Sequence, residues 1–377
     1  MATDRTLSTT LDARWKQQFR KRLLKWYAVH KRDLPWRRSQ NPYRVWISEV
    51  MLQQTQVATV QAYFRRFVKE FPTVKKLAAA DEQDVMRLWE GLGYYRRARQ
   101  LHAAAQKIVA EHGGRFPRDV EILQTLPGIG RYTAGAIASI AFDQRAPILE
   151  ANTIRLLSRL IAYPEDPTKS AGQRLLWQTA KEVLPRQDIA RFNQAIMELG
   201  SLVCTPKRPR CDACPVARLC AAREAGLEEA IPRSGRKTKF VNVTEAAVVV
   251  RKNGQILLRQ CPEGQRWAGL WDFVRFEIES EGPLLVCDEL VAKTEQQTGM
   301  VVEPGLLLKT IRHGVTHYRI RLDCYAARYL SGKISRNNGG KLRWTRPVEL
   351  GAYPLSTTGR KLANFICSDQ SDYCALG

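Results

Sequence analysis

Leu126-Pro127-Gly128-Ile129-Gly130-Arg131-Tyr132-Thr133 decides the fold of this chain. The Leu-Pro-Gly run ends one segment, and a helical pattern from Tyr132 to Phe142 opens directly behind it. Two glycines let the backbone come close to a ligand. The unpaired N–H groups at the start of the following helix point outward and make an anion site suited to one phosphate. An ordinary tight turn between packed helices is built from the same residues, so the surrounding segments have to decide between the two.

Working outward, both flanks read as helices. Trp15, Phe19, Leu23 and Trp26 recur at helical spacing across Ala13 to His30. Val45 to Phe71 gives one or two helices, and Arg96 to His112, Thr153 to Tyr163 and Ser170 to Leu184 give one each. Connectors carry Gly or Pro, as in Leu34-Pro35, Gly91-Leu92-Gly93 and Pro164 to Pro167. Few segments alternate with period two, so residues 14–222 are expected to form an all-α region. Near its end Cys204, Cys211, Cys214 and Cys220 follow the pattern C-x6-C-x2-C-x5-C. Four thiolates so close in sequence can wrap one metal centre. Spacing leaves a four-cysteine zinc site and a [4Fe–4S] cluster both open. A disulfide pair fits less well. The start of the chain has no apolar signal segment, and the five other cysteines are scattered, which suits a reducing cytoplasm.

The pattern changes after Cys220. Residues 223–240 are polar and basic with Pro232 and Gly235, and read as a linker. From Val241 the chain turns β-branched and alternating, with one helix across Leu285 to Thr298. Residues 241–377 are therefore expected to form a smaller α+β domain. No apolar run is long enough to cross a membrane. The 377 residues carry 60 basic and 37 acidic side chains, a formal net charge of +23, with both halves basic. Charge of this size stores self-repulsion that a polyanion relieves. With that charge, the glycine turn opening a helix resembles the helix-hairpin-helix of DNA repair proteins.

The turn followed by the four cysteines resembles the endonuclease III superfamily. VWISEVMLQQTQV (residues 45–57), GLGYYRRAR (residues 91–99) and the added C-terminal domain narrow the resemblance to MutY-type adenine DNA glycosylases. The resemblance covers nearly the whole chain. It implies a multidomain protein that binds a [4Fe–4S] cluster through the four cysteines. It also implies a monomer, cytoplasmic and DNA-associated, that excises adenine opposite 8-oxoguanine or guanine in double-stranded DNA. Glu49 matches the general acid and base. A desolvated carboxylate holds a proton near neutral pH, and adenine leaves readily only once its N7 is protonated. Cleavage then passes through an oxocarbenium-like sugar.

The second carboxylate departs from the family pattern D-G-N-V-x-R. Here Leu149-Glu150-Ala151-Asn152-Thr153-Ile154-Arg155 puts Glu150 in the aspartate position, beside a retained Asn152. Glu150 keeps the charge that stabilises the sugar cation and adds one methylene. The alternative is that it serves only as a helix N-cap. Tyr132 stands where lyase-competent relatives carry lysine, so no Schiff base forms and the implied enzyme is monofunctional. Gln54, Leu92 and Tyr94 match residues that enter the duplex near the lesion. Arg32, Leu34 and Trp36 match the adenine pocket, and Gly128 and Gly130 form the hairpin.

The C-terminal domain resembles a Nudix fold whose catalytic box has been lost at Ala292 to Gly299. It implies lesion recognition by the loop His313-Gly314-Val315-Thr316-His317, with Thr316 and His317 as the polar readers and Val315 in place of an aromatic. Two rivals stand beside this reading. One is a glycosylase for uracil or thymine opposite guanine. The other is a catalytically weakened protein that only binds the lesion.

Overall fold

A computed structural model describes residues 11–233, 240–334 and 340–368. In chain order the elements are α1 (Ala13–His30), α2 (Pro42–Leu52), α3 (Val57–Glu70), α4 (Val74–Ala78), α5 (Glu82–Trp89), α6 (Arg96–His112), α7 (Val120–Gln124) and α8 (Arg131–Phe142). They continue with α9 (Ala151–Leu160), α10 (Ser170–Val183), α11 (Ile189–Leu202), α12 (Ala221–Glu224), β1 (Val241–Lys252), β2 (Gln255–Gln260), β3 (Trp271–Asp272) and β4 (Val274–Glu277). The last are α13 (Pro283–Thr298), β5 (Met300–Val315), β6 (Tyr318–Gly332), β7 (Leu342–Thr345) and α14 (Thr357–Ser368). The chain forms two compact units. One joins Met1–Ala79 to Gln100–Lys237, and the other joins Ala80–Arg99 to Thr238–Gly377.

In the first unit, helix starts follow local chemistry. Asp12, Asn41, Thr73 and Asp119 each accept a hydrogen bond from the first turn of α1, α2, α4 and α7, leaving fewer orphan N–H groups. The core gathers Phe19 and Leu23 of α1, Ala136 of α8, Leu157 of α9, and Phe192 and Leu199 of α11. Each leucine or phenylalanine among them, once enclosed, contributes about 1.5–3 kcal/mol. Helix α8 is the central one, with every residue from Thr133 to Ile140 buried. Helix α11 was not among the expected helices. Glycine lets it approach α9 closely, because a Cβ at Gly200 would lie 2.8 Å from the Cβ of Asn152. The expected linker is packed in its first part. Ile231 is buried beside Ala162 and Ala222, and its carbonyl accepts from Arg159 Nε at 2.7 Å.

The second unit is a mixed sheet in the order β3-β2-β1-β6-β5, with β4 paired to β1 and β7 to β2. Strands β1 and β6 run parallel, and the other pairs are antiparallel. Residues 245–250 of β1 are all buried because both faces of the sheet are covered. One face packs Phe273 and Leu322 against Leu362 and Ile366 of α14. The other packs Val248 and Val274 against Leu290 of α13. Ala80–Arg99, read from the sequence as part of the helical region, belongs to this unit. Glu90 accepts from Arg360 at 2.6 and 3.0 Å, and Trp271 Nε1 donates to Gln83 at 3.0 Å.

Candidate active site and cysteine centre

In α2 every residue from Val45 through Met51 is buried. Glu49 therefore has no solvent face and is only 5% exposed. It lies on a cleft of about 440 Å³ in the first unit, together with Tyr132, Glu150, Asn152 and Glu198. Tyr132, in the first turn of α8, donates its hydroxyl to Glu49 Oε2 at 2.5 Å and lies 3.5 Å from Met197 Sδ. Burial pushes the Glu49 carboxyl up to about 7. The Tyr132 hydrogen bond pulls against that rise, and the nearby charge of Glu150 adds to it. Burial, and then the two carboxylates, push Tyr132 well above the usual phenol range, so it stays a donor.

Glu150 does two things at once. It is the N-cap of α9, accepting from the Asn152 and Thr153 N–H groups, each at 2.9 Å. Asn152 Nδ2 adds a third donor at 3.1 Å. Thr153 Oγ1 accepts from the Glu150 N–H at 2.7 Å, completing a reciprocal capping box. The capping carboxylate also faces the cleft. Burial raises its affinity for a proton, while the helix N–H groups favour the anion.

Glu198 of α11 sits in the same cleft with its side chain fully enclosed. Arg32 grips it through Nε at 2.9 Å and Nη2 at 2.7 Å, and Arg37 Nη2 donates at 2.8 Å. Burial alone would raise this carboxyl, but the two guanidinium groups outweigh it and hold it down to about 2. The cleft thus carries one carboxyl poised near neutrality and one locked as an anion. Such a separation marks groups with different roles.

Arg32, Leu34 and Trp36 line the cleft, and so does Gln54, which the resemblance had assigned to the duplex. Leu34 and Trp36 are buried, the latter edge-on to Phe64. Gln54 takes a left-handed backbone conformation, φ 58°, at the turn after α2. Gly128, φ +74°, admits no side chain, because a Cβ would meet Gln100 at 2.8 Å. At Gly130, the N-cap of α8, the space is open.

The remaining expected residues lie in the second unit. Leu92 is buried, and Tyr94 is 49% exposed with φ 48°. Arg97 donates to the Leu92 and Gly93 carbonyls and lies over the Tyr94 ring, which fixes that turn. Thr316 and His317 form the two-residue turn between β5 and β6, Thr316 at φ 52°. The His317 ring packs on Tyr318, centroids 4.1 Å apart.

Cys204, Cys211, Cys214 and Cys220 line one small cavity with Leu156, Val203 and Val216, and all four are free thiols. Burial pushes Cys214 up to about 12 and raises Cys211 and Cys220, so these thiolates require a positive partner. Arg159, 2% exposed, supplies one. It donates to Cys204 Sγ at 3.3 Å and, among the described residues, its other hydrogen bonds go to the carbonyls of Thr205, Pro206 and Ile231, while Glu228 lines the same cavity. A buried guanidinium with no carboxylate among these hydrogen bonds suits an anionic thiolate centre. The donor set therefore fits a thiolate-bound metal group. Arg155 links this loop to the cleft, donating to the Cys204 carbonyl at 2.7 Å and to Asn152 Oδ1 at 2.9 Å.

Sequence reading missed Glu198, Arg37, Arg155 and Arg159. Arg37 and Arg155 stand inside segments already singled out, but nothing local says that their partners lie across the fold. Glu198 had one signal. Ile189, Phe192, Ala195, Ile196 and Leu199 recur at helical spacing and would have placed it on a buried helix.

The family described as HhH-GPD superfamily base excision DNA repair protein matches residues 47–182, and the NUDIX domain family matches residues 245–364. The chain is 50% identical to the adenine DNA glycosylase of Rattus norvegicus over 70% of this chain and 61% of the relative. It is 36% identical to that of Buchnera aphidicola subsp. Schizaphis graminum over 69% of this chain and 76% of the relative. For that of Schizosaccharomyces pombe the identity is 38%, over 70% of each. The match spans less than two thirds of the mammalian relatives, 44% in the Homo sapiens protein. Among solved structures, a thermostable thymine-DNA glycosylase aligns with TM-score 0.52 and 26% identity over 56% of this chain and 98% of the other. Identity above 30% across two thirds or more of whole relatives places this chain in the adenine DNA glycosylase family.

Proposed function

We propose that this chain is a monofunctional glycosylase that hydrolyses the N-glycosidic bond of adenine mispaired with 8-oxoguanine or guanine in double-stranded DNA. The observation that carries the reading is the buried Glu49, hydrogen-bonded by Tyr132 and holding its proton up to about pH 7. Glu49 protonates adenine N7, which turns the base into a good leaving group. Tyr132 occupies one carboxyl oxygen and leaves the other for the base. Glu150, pinned by the α9 N-terminus, holds a negative charge for the developing sugar cation. After the base departs, Glu49 takes a proton from the attacking water. Tyr132 offers no amine, so the product is an intact strand with an abasic site.

The locked Glu198 and its two arginines form a rigid polar floor for the extruded base, which pairs with donors and acceptors there rather than with its former partner. The C-terminal turn Thr316-His317 reads the opposite base. The hairpin at Gly128 and Gly130 takes one phosphate at the start of α8. The protein works as a monomer.

The four cysteines hold a [4Fe–4S] cluster rather than one zinc ion. A cluster spreads its thiolates wider, one per iron, which suits four thiols around a shared cavity. When bound, the cluster ties together the basic loop Pro206 to Arg210 and orders its charges toward phosphates.

Adenine specificity is favoured over thymine because relatives at 36–50% identity are adenine DNA glycosylases, whereas the thymine-specific structure shares 26%. The test is Glu49→Gln in a single-turnover assay on adenine opposite 8-oxoguanine, with strand nicking scored after alkali. Adenine release is expected to vanish while mispair binding persists. Retained turnover overturns the assignment, and release of thymine opposite guanine in its place selects the rival.

A further inference from the structure

Besides Tyr318, the β5–β6 turn has an exposed aromatic neighbour from outside its own hairpin. The Val241 N–H donates to the His317 carbonyl at 2.9 Å, which sets Phe240 beside the turn. The Phe240 ring is 53% exposed, and the Arg319 guanidinium lies over it, 4.4 Å from its centroid. An exposed ring held face-on by a cation has lost much of its rotamer freedom without having buried its surface.

The residues around it are basic. In register, Asn242 pairs with Arg319, Gly314 with Arg319, and Arg312 with Arg321. Partners in register share one face of a sheet, so Arg312, Arg319 and Arg321 stand together on the exposed end of that face. Arg321 reaches Asp323 at 3.1 Å, whereas Arg312 and Arg319 have no carboxylate partner among the described residues. Like charges directly opposite on paired strands destabilise a sheet. An arrangement that keeps them beside an open ring suits an incoming anion with a flat face.

We propose that Phe240, Arg312, Arg319 and Arg321 form a second contact with the lesion-bearing strand. Phe240 stacks on the base next to the lesion, and the three guanidinium groups take the flanking phosphates. Base–aromatic stacking tolerates any sequence, as a reader of a lesion in any context requires. This deepens the reading of Thr316 and His317 given above and rests on it.

The test uses the full chain and a duplex in which non-cleavable 2′-fluoro-2′-deoxyadenosine faces 8-oxoguanine. Phe240→Ala is expected to weaken binding about tenfold and Phe240→Trp to restore it, within the range for one stacked base. The slope of log affinity against log salt stays unchanged in Phe240→Ala. Arg312→Gln and Arg319→Gln each lower it by about 0.9. Replacing the bases flanking the lesion by abasic spacers removes the difference between natural protein and Phe240→Ala. Equal affinity of the two proteins on the intact duplex overturns the stacking contact, as does a deficit that survives both spacers. An unaltered salt slope in both arginine variants overturns the phosphate contacts. Adenine release by the same natural preparation is measured alongside. Its absence sinks the glycosylase reading itself, which separates that failure from failure of the platform.

Discussion

Tyr132→Phe isolates the proton on Glu49. In the natural protein the Tyr132 hydroxyl donates to Glu49 at 2.5 Å and stabilises the charged carboxylate, opposing burial. A hydrogen bond to a charged group contributes about 1.5–3 kcal/mol. Its loss therefore raises the Glu49 pKa by about 1–2 units, from about 7 to roughly 8–9. Bond cleavage needs the protonated acid, so the rate falls as pH rises through that value. Relative to its own plateau, the natural protein should retain roughly 3% of its rate at about pH 8.5, and a variant shifted by 1.5 units about half. The assay is single-turnover adenine release across pH, with alkali converting abasic sites to breaks. The plateau itself can fall for other reasons, since Tyr132 also touches Met197, but that does not move the limb. An alkaline limb that stays at the natural pH, or moves down, refutes Glu49 as the proton donor controlled by Tyr132.

Three further outcomes are expected. Glu198→Gln leaves Arg32 and Arg37 without their counter-charge. Glu198 is depressed from 4.5 to about 2, so its stabilisation is present above pH 4.5 and lost as pH falls toward 2. Urea unfolding should show a loss of about 3 kcal/mol at pH 7, narrowing toward pH 2, and an equal midpoint at pH 7 refutes the clamp. Glu150→Asp should keep adenine release within about threefold, because an aspartate N-cap reaches the same N–H groups. A fall of about a hundredfold would mean the extra methylene sets the working position of the charge. Cys211→Ser should abolish the brown visible absorbance of the purified protein, and a colourless natural protein with stoichiometric zinc refutes the cluster.

The parts of this protein legible in its sequence are those in which chemistry is local. Gly128 of the hairpin is dictated by its positive φ and by the Gln100 side chain beside it, and the cysteine spacing matches the reach of four thiolates around one cavity. Glu49 stood out as a lone carboxylate in an apolar stretch, because α2 is buried from Val45 through Met51. Glu198 was invisible for the opposite reason. A glutamate on an amphipathic helix reads as solvated, and only Arg32 and Arg37, brought from the other end of the unit, make its burial tolerable. The same applies to Ala80–Arg99. Its helical pattern was plain, but its place with the C-terminal sheet depends on the Glu90–Arg360 pair, which no window along the chain contains.

Glu150 shows why the second carboxylate was the hardest residue to read. From sequence, a stabilising anion and a helix N-cap were alternatives, since a carboxylate committed to capping is usually spent on its own backbone. The start of α9 faces the cleft, so capping is what keeps the anion there. Three N–H donors fix both oxygens, and Arg155, whose charge also favours the anion, donates to Asn152 Oδ1 rather than to the carboxylate itself. A salt-bridged carboxylate would be equally well placed but electrostatically spent. In the proposed role the longer side chain is accommodated by the helix end, which holds both oxygens at the cleft.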